Sequence, residues 1–308
     1  MRDTPELQPN WKLDQVVGEL RAIRRDWRES CARNHECGGR ELPAPGPVRE
    51  IMNALRGALF PMRLGPPDLR QESEDFYVAH TLDSALHALH QQVLLELQYT
   101  SRIQGNETEQ NFAALAFNIV RTFAAALPRV RSMLDTDVRA AYNGDPAARS
   151  VDEILLCYPG ACAMIHHRIA HQLYKLSVPM IARIISEIAH SETGIDIHPG
   201  ASIGSGFFVD HGTGVVIGET AIIGSRVRLY QAVTLGAKRF TQGEDGALEK
   251  GQPRHPILED EVVVYAGATL LGRITIGAKS SIGGNVWLTR SVPPGSIITQ
   301  ANSQHELH

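Results

Sequence analysis

Acidic residues and a histidine stand close together in two short segments of the C-terminal half of the chain. Asp196 precedes Ile197 and His198, and Asp210 and His211 open the segment Asp-His-Gly-Thr-Gly. A carboxylate beside a histidine fixes the tautomer of the ring and stabilises its protonated form. Such a histidine is a suitable general base for a hydroxyl group, an effect of about 10²–10⁴ in rate. We therefore interpret His211 as a base; the alternative, a corner residue that bonds only to the backbone, is weakened by the second carboxylate.

A second polar pair, Arg254 and His255, lies between two prolines further along the chain. Arginine binds carboxylates through two parallel hydrogen bonds. One arginine together with several aspartates suits a zwitterion, because the arginine takes the carboxylate and the aspartates take the ammonium. An amino acid that carries a hydroxyl is the simplest substrate of this kind.

The other histidines give weaker signals. His167 and His171 have the i, i+4 spacing of a metal pair on a helix, but no HExxH motif and no nearby cysteine set accompany them. Cys31, His35 and Cys37 resemble one half of a zinc site without the other half. No GxGxxG or phosphate-binding loop motif occurs. The sequence therefore predicts no metal site.

A six-residue repeat must position the candidate residues. Aliphatic or alanine residues recur every six positions in two series, which the polar segment 237–256 separates. This period is typical of a parallel β-helix, in which each unit is one short strand and a turn. With three faces per coil, the repeats predict about four coils, about 4.8 Å apart. A coil of about 18 residues would bring Asp196 and His211 near one corner on successive coils. The repeat positions are Ile197, Ile203, Val209, Val215, Ala221, Val227, Val233, Leu258, Val264, Leu270, Ile276, Ile282 and Leu288.

Helical patterns fill the preceding part of the chain, so we predict an α+β protein with an all-α N-terminal domain before the β-helix. Predicted helices cover 14–33, 48–59, 74–100, 108–127, 129–142, 147–157, 160–175 and 179–191. Predicted domains are an N-terminal extension and linker (1–47), a helical domain (48–192), a β-helix (193–295) with a protruding loop (237–256), and a short tail (296–308).

Composition excludes several classes of function. The 308 residues are 43% hydrophobic and 21% charged, and the net charge of −4 gives no electrostatic case for nucleic acid or an anionic membrane. We expect no signal peptide and no membrane span, since no window reaches the ~18 apolar residues that a span needs. Four cysteines without a CxxC pair favour a reducing cytoplasm.

Four motifs occur in order: Asp196-Ile197-His198-Pro199, Asp210–Gly214, Gly218-Glu219-Thr220 and Arg254-His255-Pro256. This set closely resembles the serine O-acetyltransferases, and the likeness covers roughly residues 135–295. The resemblance implies a left-handed β-helix. It also implies transfer of the acetyl group of acetyl-CoA to the hydroxyl of L-serine, the first committed step of cysteine biosynthesis.

The resemblance also implies roles for individual residues. His211 would take the hydroxyl proton and Asp196 would orient and polarise His211. The serine oxygen would attack the thioester directly, without a covalent acyl-enzyme. The amino acid would be held by Asp145, Asp210, Arg254 and His255. Acetyl-CoA would lie along Thr234, Gly236, Ala237, Ala266 and Gly267.

A homotrimer with three intersubunit sites is implied as well, and either a trimer or a dimer of trimers fits. Cysteine mimics serine in the same pocket, so feedback inhibition is expected. Relatives that dock into O-acetylserine sulfhydrylase end in isoleucine, whereas this chain ends in Glu306-Leu307-His308. We therefore predict no stable complex with the sulfhydrylase.

Three alternatives stay open. A related hexapeptide acyltransferase could act on homoserine or a sugar, although Arg254 and Asp145 favour an amino acid. A non-enzymatic β-helix scaffold would not need Asp196, Asp210, His211 and His255 together. A γ-class carbonic anhydrase needs three zinc histidines across subunits, which this pattern does not match.

Overall fold

The computed structural model describes residues 11–30, 41–104, 111–238 and 251–301. The chain divides into two compact units, Met1–Glu41 and Leu42–His308. The described part of the first unit contains one helix, α1 (Leu13–Ser30), none of whose residues is buried. The second unit contains the remaining helices and the whole β-helix.

Among the described residues of the second unit, seven α-helices precede the first strand. Four of them begin with proline in the first turn, where the missing N–H costs nothing and the fixed φ suits a helix. The helices are α2 (Pro45–Leu59), α3 (Pro61–Leu64), α4 (Glu74–Gln104), α5 (Phe112–Gly144), α6 (Val151–Cys157), α7 (Pro159–Lys175) and α8 (Pro179–Thr193).

Helix α5 corrects one prediction. We expected two helices separated at Pro128, but a single helix of 33 residues runs through this proline. An interior proline removes one ladder hydrogen bond. The apolar face continues across it, however, since Phe123, Leu127, Val130 and Leu134 are all buried. Packing of that face against α4 and α7 keeps the helix continuous.

By length and composition, α5 could also cross a membrane, which the composition argument did not anticipate. One third of its most apolar window is buried inside the protein (33%). The same helix carries the buried carboxylate of Asp137, which is paired with Arg168. Length and composition alone are weak evidence for a membrane span, and the absence of a membrane partner stays a prediction.

The C-terminal part is a parallel β-helix with three sheets, and all thirteen repeat positions are buried. Sheet A has the order β1-β4-β7-β10-β13, sheet B β11-β8-β5-β2, and sheet C β14-β12-β9-β6-β3. The fourteen strands that the structure describes on three faces make nearly five coils, whereas the thirteen repeat units predicted about four. The additional strand is β14, which lies beyond the expected end at 295 and completes sheet C. The strands are β1 (Asp196–Ile197), β2 (Ser202–Ile203), β3 (Phe208–Asp210), β4 (Val216–Ile217), β5 (Ile222–Ile223), β6 (Arg228–Tyr230), β7 (Thr234–Gly236), β8 (Ile257–Leu258), β9 (Val263–Val264), β10 (Thr269–Leu271), β11 (Thr275–Ile276), β12 (Ser281–Ile282), β13 (Trp287–Leu288) and β14 (Ile297–Ile298).

The first coil is longer than predicted. Asp196 pairs with Val216, twenty positions later, whereas Val216 pairs with Thr234, the expected eighteen positions later. The two additional residues lie in the corner between β3 and β4, within the segment 210–214. The six-residue spacing of aliphatic residues continues across this corner, but strand β4 begins two positions later than that spacing predicts. Val209 therefore lies in strand β3, whereas Val215 lies in the corner before β4.

Strands β5 and β8 are neighbours in sheet B although the predicted loop separates them in sequence. Ile222 lies opposite Ile257, so no other strand lies between β5 and β8. Most of the loop predicted at 237–256 lies outside the described residues.

A buried ion pair joins the helices to the first coil. The guanidinium of Arg168 on α7 donates to both carboxylate oxygens of Asp137 on α5, at 2.6 and 2.8 Å. It also donates to the carbonyls of Ile203 and Gly204, at 3.0 and 2.7 Å. Asp137 in turn accepts from the backbone N–H of Phe207 at 2.9 Å. Burial raises the pKa of Asp137, although these partners oppose that shift.

Replacing Arg168 with methionine should lower the free energy of unfolding by about 3–5 kcal/mol, because the Asp137 carboxylate would stay buried without its cation. Urea unfolding at neutral pH measures this loss, which should shrink at low pH, where Asp137 is protonated. Arg226→Met is the matched control, because its pair with Glu261 is exposed and should change stability little. Equal unfolding midpoints for the two variants would contradict the anchoring role of Arg168.

Candidate active site

His211 lies at the lengthened corner between β3 and β4. Its φ of 96° is rare for a residue other than glycine, and Gly212 and Gly214 also have positive φ. The His211 side chain is 74% exposed, so no packing against its own chain explains this backbone conformation. Residues held in unfavourable backbone regions cluster at functional sites. The corner presents the imidazole to solvent, where a substrate can reach it.

Asp210 lies behind His211 and is 7% exposed. Its Oδ2 accepts a short hydrogen bond from Arg228 on β6, and its Oδ1 lies 3.9 Å from Nε2 of His211. Arg228 also donates to the carbonyl of Gly144 at 2.8 Å, which joins the end of α5 to the β-helix. Arg228 was not among the predicted site residues, because in the sequence it is only a lone cation on a strand of the repeat.

Asp145 reaches the same corner from the end of α5. Tyr158 donates its hydroxyl to Oδ2 of Asp145 at 2.5 Å, and the N–H of Ala147 donates to Oδ1 at 2.8 Å. The bond from Tyr158 is the main cause that lowers the pKa of Asp145, and the charges of Arg228 and His211 act in the same direction. The same bond raises the pKa of Tyr158 to about 12, so its hydroxyl remains a donor. The structure thus brings Asp145, Asp210 and His211 together.

Asp196 lies on β1, opposite Val216 of β4. Among the described residues, no hydrogen bond or ion pair joins Asp196 to His211. The carboxylate of Asp196 lies instead within 4.8 Å of ligand atoms of Glu187 and His190 on α8. Such a group could hold a metal ion, but Glu187 is already paired with Arg183 at 2.5 Å. The orienting role of Asp196 and the absence of a metal both stay predictions.

Arg254 and His255 form a second cluster at the corner after β4. Arg254 donates to Oε2 of Glu219 at 2.7 Å, and Tyr174 donates to Oε1 of the same carboxylate at 2.9 Å. Nδ1 of His255 accepts from the N–H of Thr220 at 3.1 Å. Burial, followed by the charge of Arg254, lowers the pKa of His255 to about 4. The ring is therefore neutral near pH 7, and its Nε2–H is a donor.

Gly218 allows His255 to occupy this position. A Cβ on Gly218 would lie 1.9 Å from Cδ2 of the His255 ring, so any other residue would displace the imidazole. Gly218 and Glu219 belong to the Gly-Glu-Thr motif, one of the four motifs that carry the resemblance, for which the sequence alone indicates no role. The structure shows that the motif supports the histidine and holds the arginine.

The two clusters lie at opposite ends of the two-residue strand β4 (Val216–Ile217). In the part of the chain that the structure describes, no hydrogen bond or ion pair connects them. One chain therefore presents a histidine–carboxylate cluster at one corner and an arginine–histidine cluster at the next.

The five predicted cofactor residues lie together along the β-helix. Thr234 and Gly236 are on β7, Ala237 follows it, and Ala266 and Gly267 form the corner before the adjacent strand β10. All five are half-buried. Backbone bonds run along this edge from Ala232 N to the Thr213 carbonyl (2.9 Å) and from Gly267 N to the Gln231 carbonyl (3.0 Å). Ala266 and Gly267 therefore continue the corner of His211, about 10 Å along the axis. Gly236 and Ala237 lie at the other end of β7, beside the corner of Gly218, because Ile217 is opposite Leu235.

Comparisons with known proteins agree with this geometry. No family model matches the chain. The chain is 52% identical over 305 residues to the plasmid serine acetyltransferase of Synechococcus elongatus, which covers 97% of this chain and 94% of that protein. The structure is similar to that of serine acetyltransferase 1 of Entamoeba histolytica in complex with L-cysteine. The TM-score is 0.71 and the identity 39%, over 81% of this chain and 86% of the other.

A second similar structure is a serine acetyltransferase in complex with CoA. The TM-score is 0.52 and the identity 25%, over 81% of this chain and 96% of the other. The match to the Synechococcus protein extends over almost the full length of both chains. On this evidence the chain belongs to the serine acetyltransferase family.

Proposed function

We propose that this serine acetyltransferase completes each active site between two copies of the chain. The observation that carries this proposal is the separation of the two clusters to opposite ends of β4. One cluster holds a base and carboxylates, and the other holds donors for a carboxylate. A β-helix that packs corner to corner in a homotrimer would bring the first cluster of one copy against the second cluster of the next.

The charges of the two clusters suit the two ends of L-serine. Arg254 donates to the substrate carboxylate, and the neutral His255 ring adds its Nε2–H. Asp145 and the Oδ1 of Asp210 accept from the substrate ammonium. Because Arg228 already occupies Oδ2 of Asp210, the aspartates together carry less excess charge than two free carboxylates would. This arrangement orients the serine hydroxyl toward the exposed ring of His211.

His211 acts as the general base of the transfer. Its free ring nitrogen takes the proton of the serine hydroxyl while the oxygen forms a bond to the carbonyl carbon of the acetyl thioester. The C–S bond then breaks, and the coenzyme A sulfur leaves with the electron pair and takes the proton back from the imidazolium. Asp196 and Asp210 stabilise the transient imidazolium. The products are O-acetyl-L-serine and coenzyme A.

Acetyl-CoA would lie along the row formed by Thr234, Gly236, Ala237, Ala266 and Gly267. Small side chains there leave backbone groups open to the pantetheine arm. The CoA complex of the similar enzyme supports this use of the fold. The L-cysteine complex of the Entamoeba enzyme supports cysteine as an inhibitor, since cysteine would use the same partners as serine. We further propose that the protein acts in the cytoplasm, without a stable sulfhydrylase complex.

Thiol release from acetyl-CoA tests the function directly. We expect a rate with L-serine that exceeds the rates with homoserine, a sugar and water, because the two clusters are arranged for a short zwitterion. A rate with serine no higher than with water would reject the function. A faster rate with homoserine would reject the assignment of serine as the preferred acceptor.

Tyr158→Phe should raise the pKa of the Asp145 carboxyl toward its ordinary value, because Tyr158 provides the hydrogen bond that chiefly lowers it. A carbon-13 NMR titration of labelled aspartate carboxyls measures this shift directly, whereas the acid limb of kcat/KM also contains the protonation of the proposed base His211. At neutral pH Asp145 stays ionised, and the change in kcat should be small. Tyr142→Phe, which changes an exposed tyrosine on α5, is the control. An unchanged titration of Asp145 would exclude this role for Tyr158.

A further inference from the structure

Helix α1 exposes an apolar face. Leu13, Val16, Leu20 and Ile23 are 62%, 44%, 46% and 63% exposed, and no residue of the helix is buried. Single exposed apolar residues need no explanation, but four on one side of an 18-residue helix do. An isolated helix of this length is only marginally stable in water, and burial of such a face is what normally stabilises it.

The spacing of these residues is that of a coiled coil. Leu13, Leu20 and Trp27 are seven residues apart and occupy the a positions of a heptad, and Val16, Ile23 and Ser30 occupy the d positions. Gly18, which would weaken a packed surface, falls at the outward f position. The face is therefore an a/d seam that Val17, 46% exposed at position e, widens on one side, and it is suited to another helix of the same kind.

Charge favours another copy of the helix over a membrane. α1 carries four acidic residues and four arginines, so its net charge is zero. Helices that lie on anionic membranes are instead rich in lysine and arginine on the polar face. In a parallel pair, Glu19 at position g faces Arg24 at position e of the neighbouring helix, and opposite charges at these positions select partner and orientation.

The residue types at the seam favour more than two strands. Leucine at a with a β-branched residue at d shifts coiled coils toward trimers and tetramers, and α1 has Leu13 and Leu20 at a with Val16 and Ile23 at d. Copies related by a threefold axis necessarily run parallel. The number of α1 helices that associate, three, depends on the proposed homotrimer. The presence of the apolar seam on α1 does not depend on it.

We propose that α1 associates with the α1 helices of the other two copies in a parallel, three-stranded coiled coil. The apolar face of each α1 helix is thus covered by the α1 helices of the other copies of the same chain. The helix would hold the N-terminal ends of the three chains together independently of the contacts between the β-helices.

Cross-linking in the full-length chain tests the seam and its direction. Leu13→Cys places a thiol at an a position at the N-terminal end, and Asp14→Cys places one on the outer face of the same turn. Both variants carry Cys31→Ser and Cys37→Ser, and that double variant alone gives the background. With a short thiol cross-linker, Leu13→Cys should give at least fivefold more intersubunit product than Asp14→Cys. An antiparallel pair would separate the two thiols by about 25 Å, because each residue adds 1.5 Å.

Equal yields from the two cysteines, or yields at background for both, would overturn the proposal. The same samples are assayed for acetyl transfer to serine, so that failure of the coiled coil and failure of the enzymatic function are read separately. Co-sedimentation with phosphatidylserine vesicles that Leu20→Glu abolishes would assign the face to a membrane and would equally overturn the proposal.

A charge exchange in the Leu13→Cys background tests the predicted pair. Glu19→Arg or Arg24→Glu alone should lower the cross-linking yield, because each places like charges opposite one another. The double exchange should restore the yield. Within one helix these residues are five apart and do not face each other. Failure of the double variant to recover would exclude the parallel register.

Discussion

Replacing His211 with alanine is expected to lower kcat with L-serine by about 10²–10⁴, the range for loss of a general base. The ring is exposed at a corner of the β-helix, with Oδ1 of Asp210 at 3.9 Å. Among the described residues of the cluster that contains Asp145, the His211 imidazole is the group suited to accept the hydroxyl proton and return it to the leaving sulfur. Steady-state kinetics with saturating acetyl-CoA measures the loss. A rate within threefold of the wild type would remove His211 from the mechanism.

His211→Gly separates catalysis from folding. Glycine adopts positive φ without strain, so the free energy of unfolding should stay within about 1 kcal/mol of the wild-type value or rise. Loss of turnover with retained stability would show that the unfavourable backbone conformation of His211 serves catalysis and not folding. His87→Ala, which changes an exposed histidine on α4, is the control and should alter neither quantity. A large loss of stability in His211→Gly would show instead that the ring supports the fold.

Mixing two inactive variants should restore activity if each site is shared between copies. His211→Ala removes the base from one cluster, and Arg254→Gln removes the carboxylate donor from the other. Hydrogen bonds to charged groups contribute about 1.5–3 kcal/mol each, so each variant alone should be strongly impaired. In randomly mixed trimers about one site in four combines an intact histidine cluster with an intact arginine cluster. Co-expressed chains should therefore recover about a quarter of the wild-type rate.

The matched control mixes His211→Ala with Asp145→Asn. These two changes affect the same cluster, which one chain supplies whole through the contacts of Arg228 with Gly144 and Asp210. No chain in that mixture carries an intact histidine cluster, so the rate should not recover. Recovery in the control, or none with Arg254→Gln, would show that the division of the site between copies is wrong. Light scattering of each mixture establishes that trimers have formed.

Helix α5 and the lengthened corner show where sequence reasoning reached its limit. Pro128 is a local signal for a helix end, but an apolar face that continues past it packs against two other helices and overrides the signal. At the corner, Val215 follows Val209 by six residues, so the repeat gives no sign of an insertion. Backbone pairing alone reveals the two additional residues, since Asp196 lies opposite Val216.

The sequence by itself determined the β-helix, because every sixth side chain must point inward and all thirteen repeat positions are buried. Its motifs also identified the polar residues around His211 and Arg254, since residue type alone states which proton or charge a side chain can handle. Only the tertiary structure decided how these residues are grouped. Grouping depends on hydrogen bonds between positions far apart in the chain, such as those that Arg228 makes to Gly144 and Asp210. For the same reason, only the folded chain shows that strand β4 separates the two clusters.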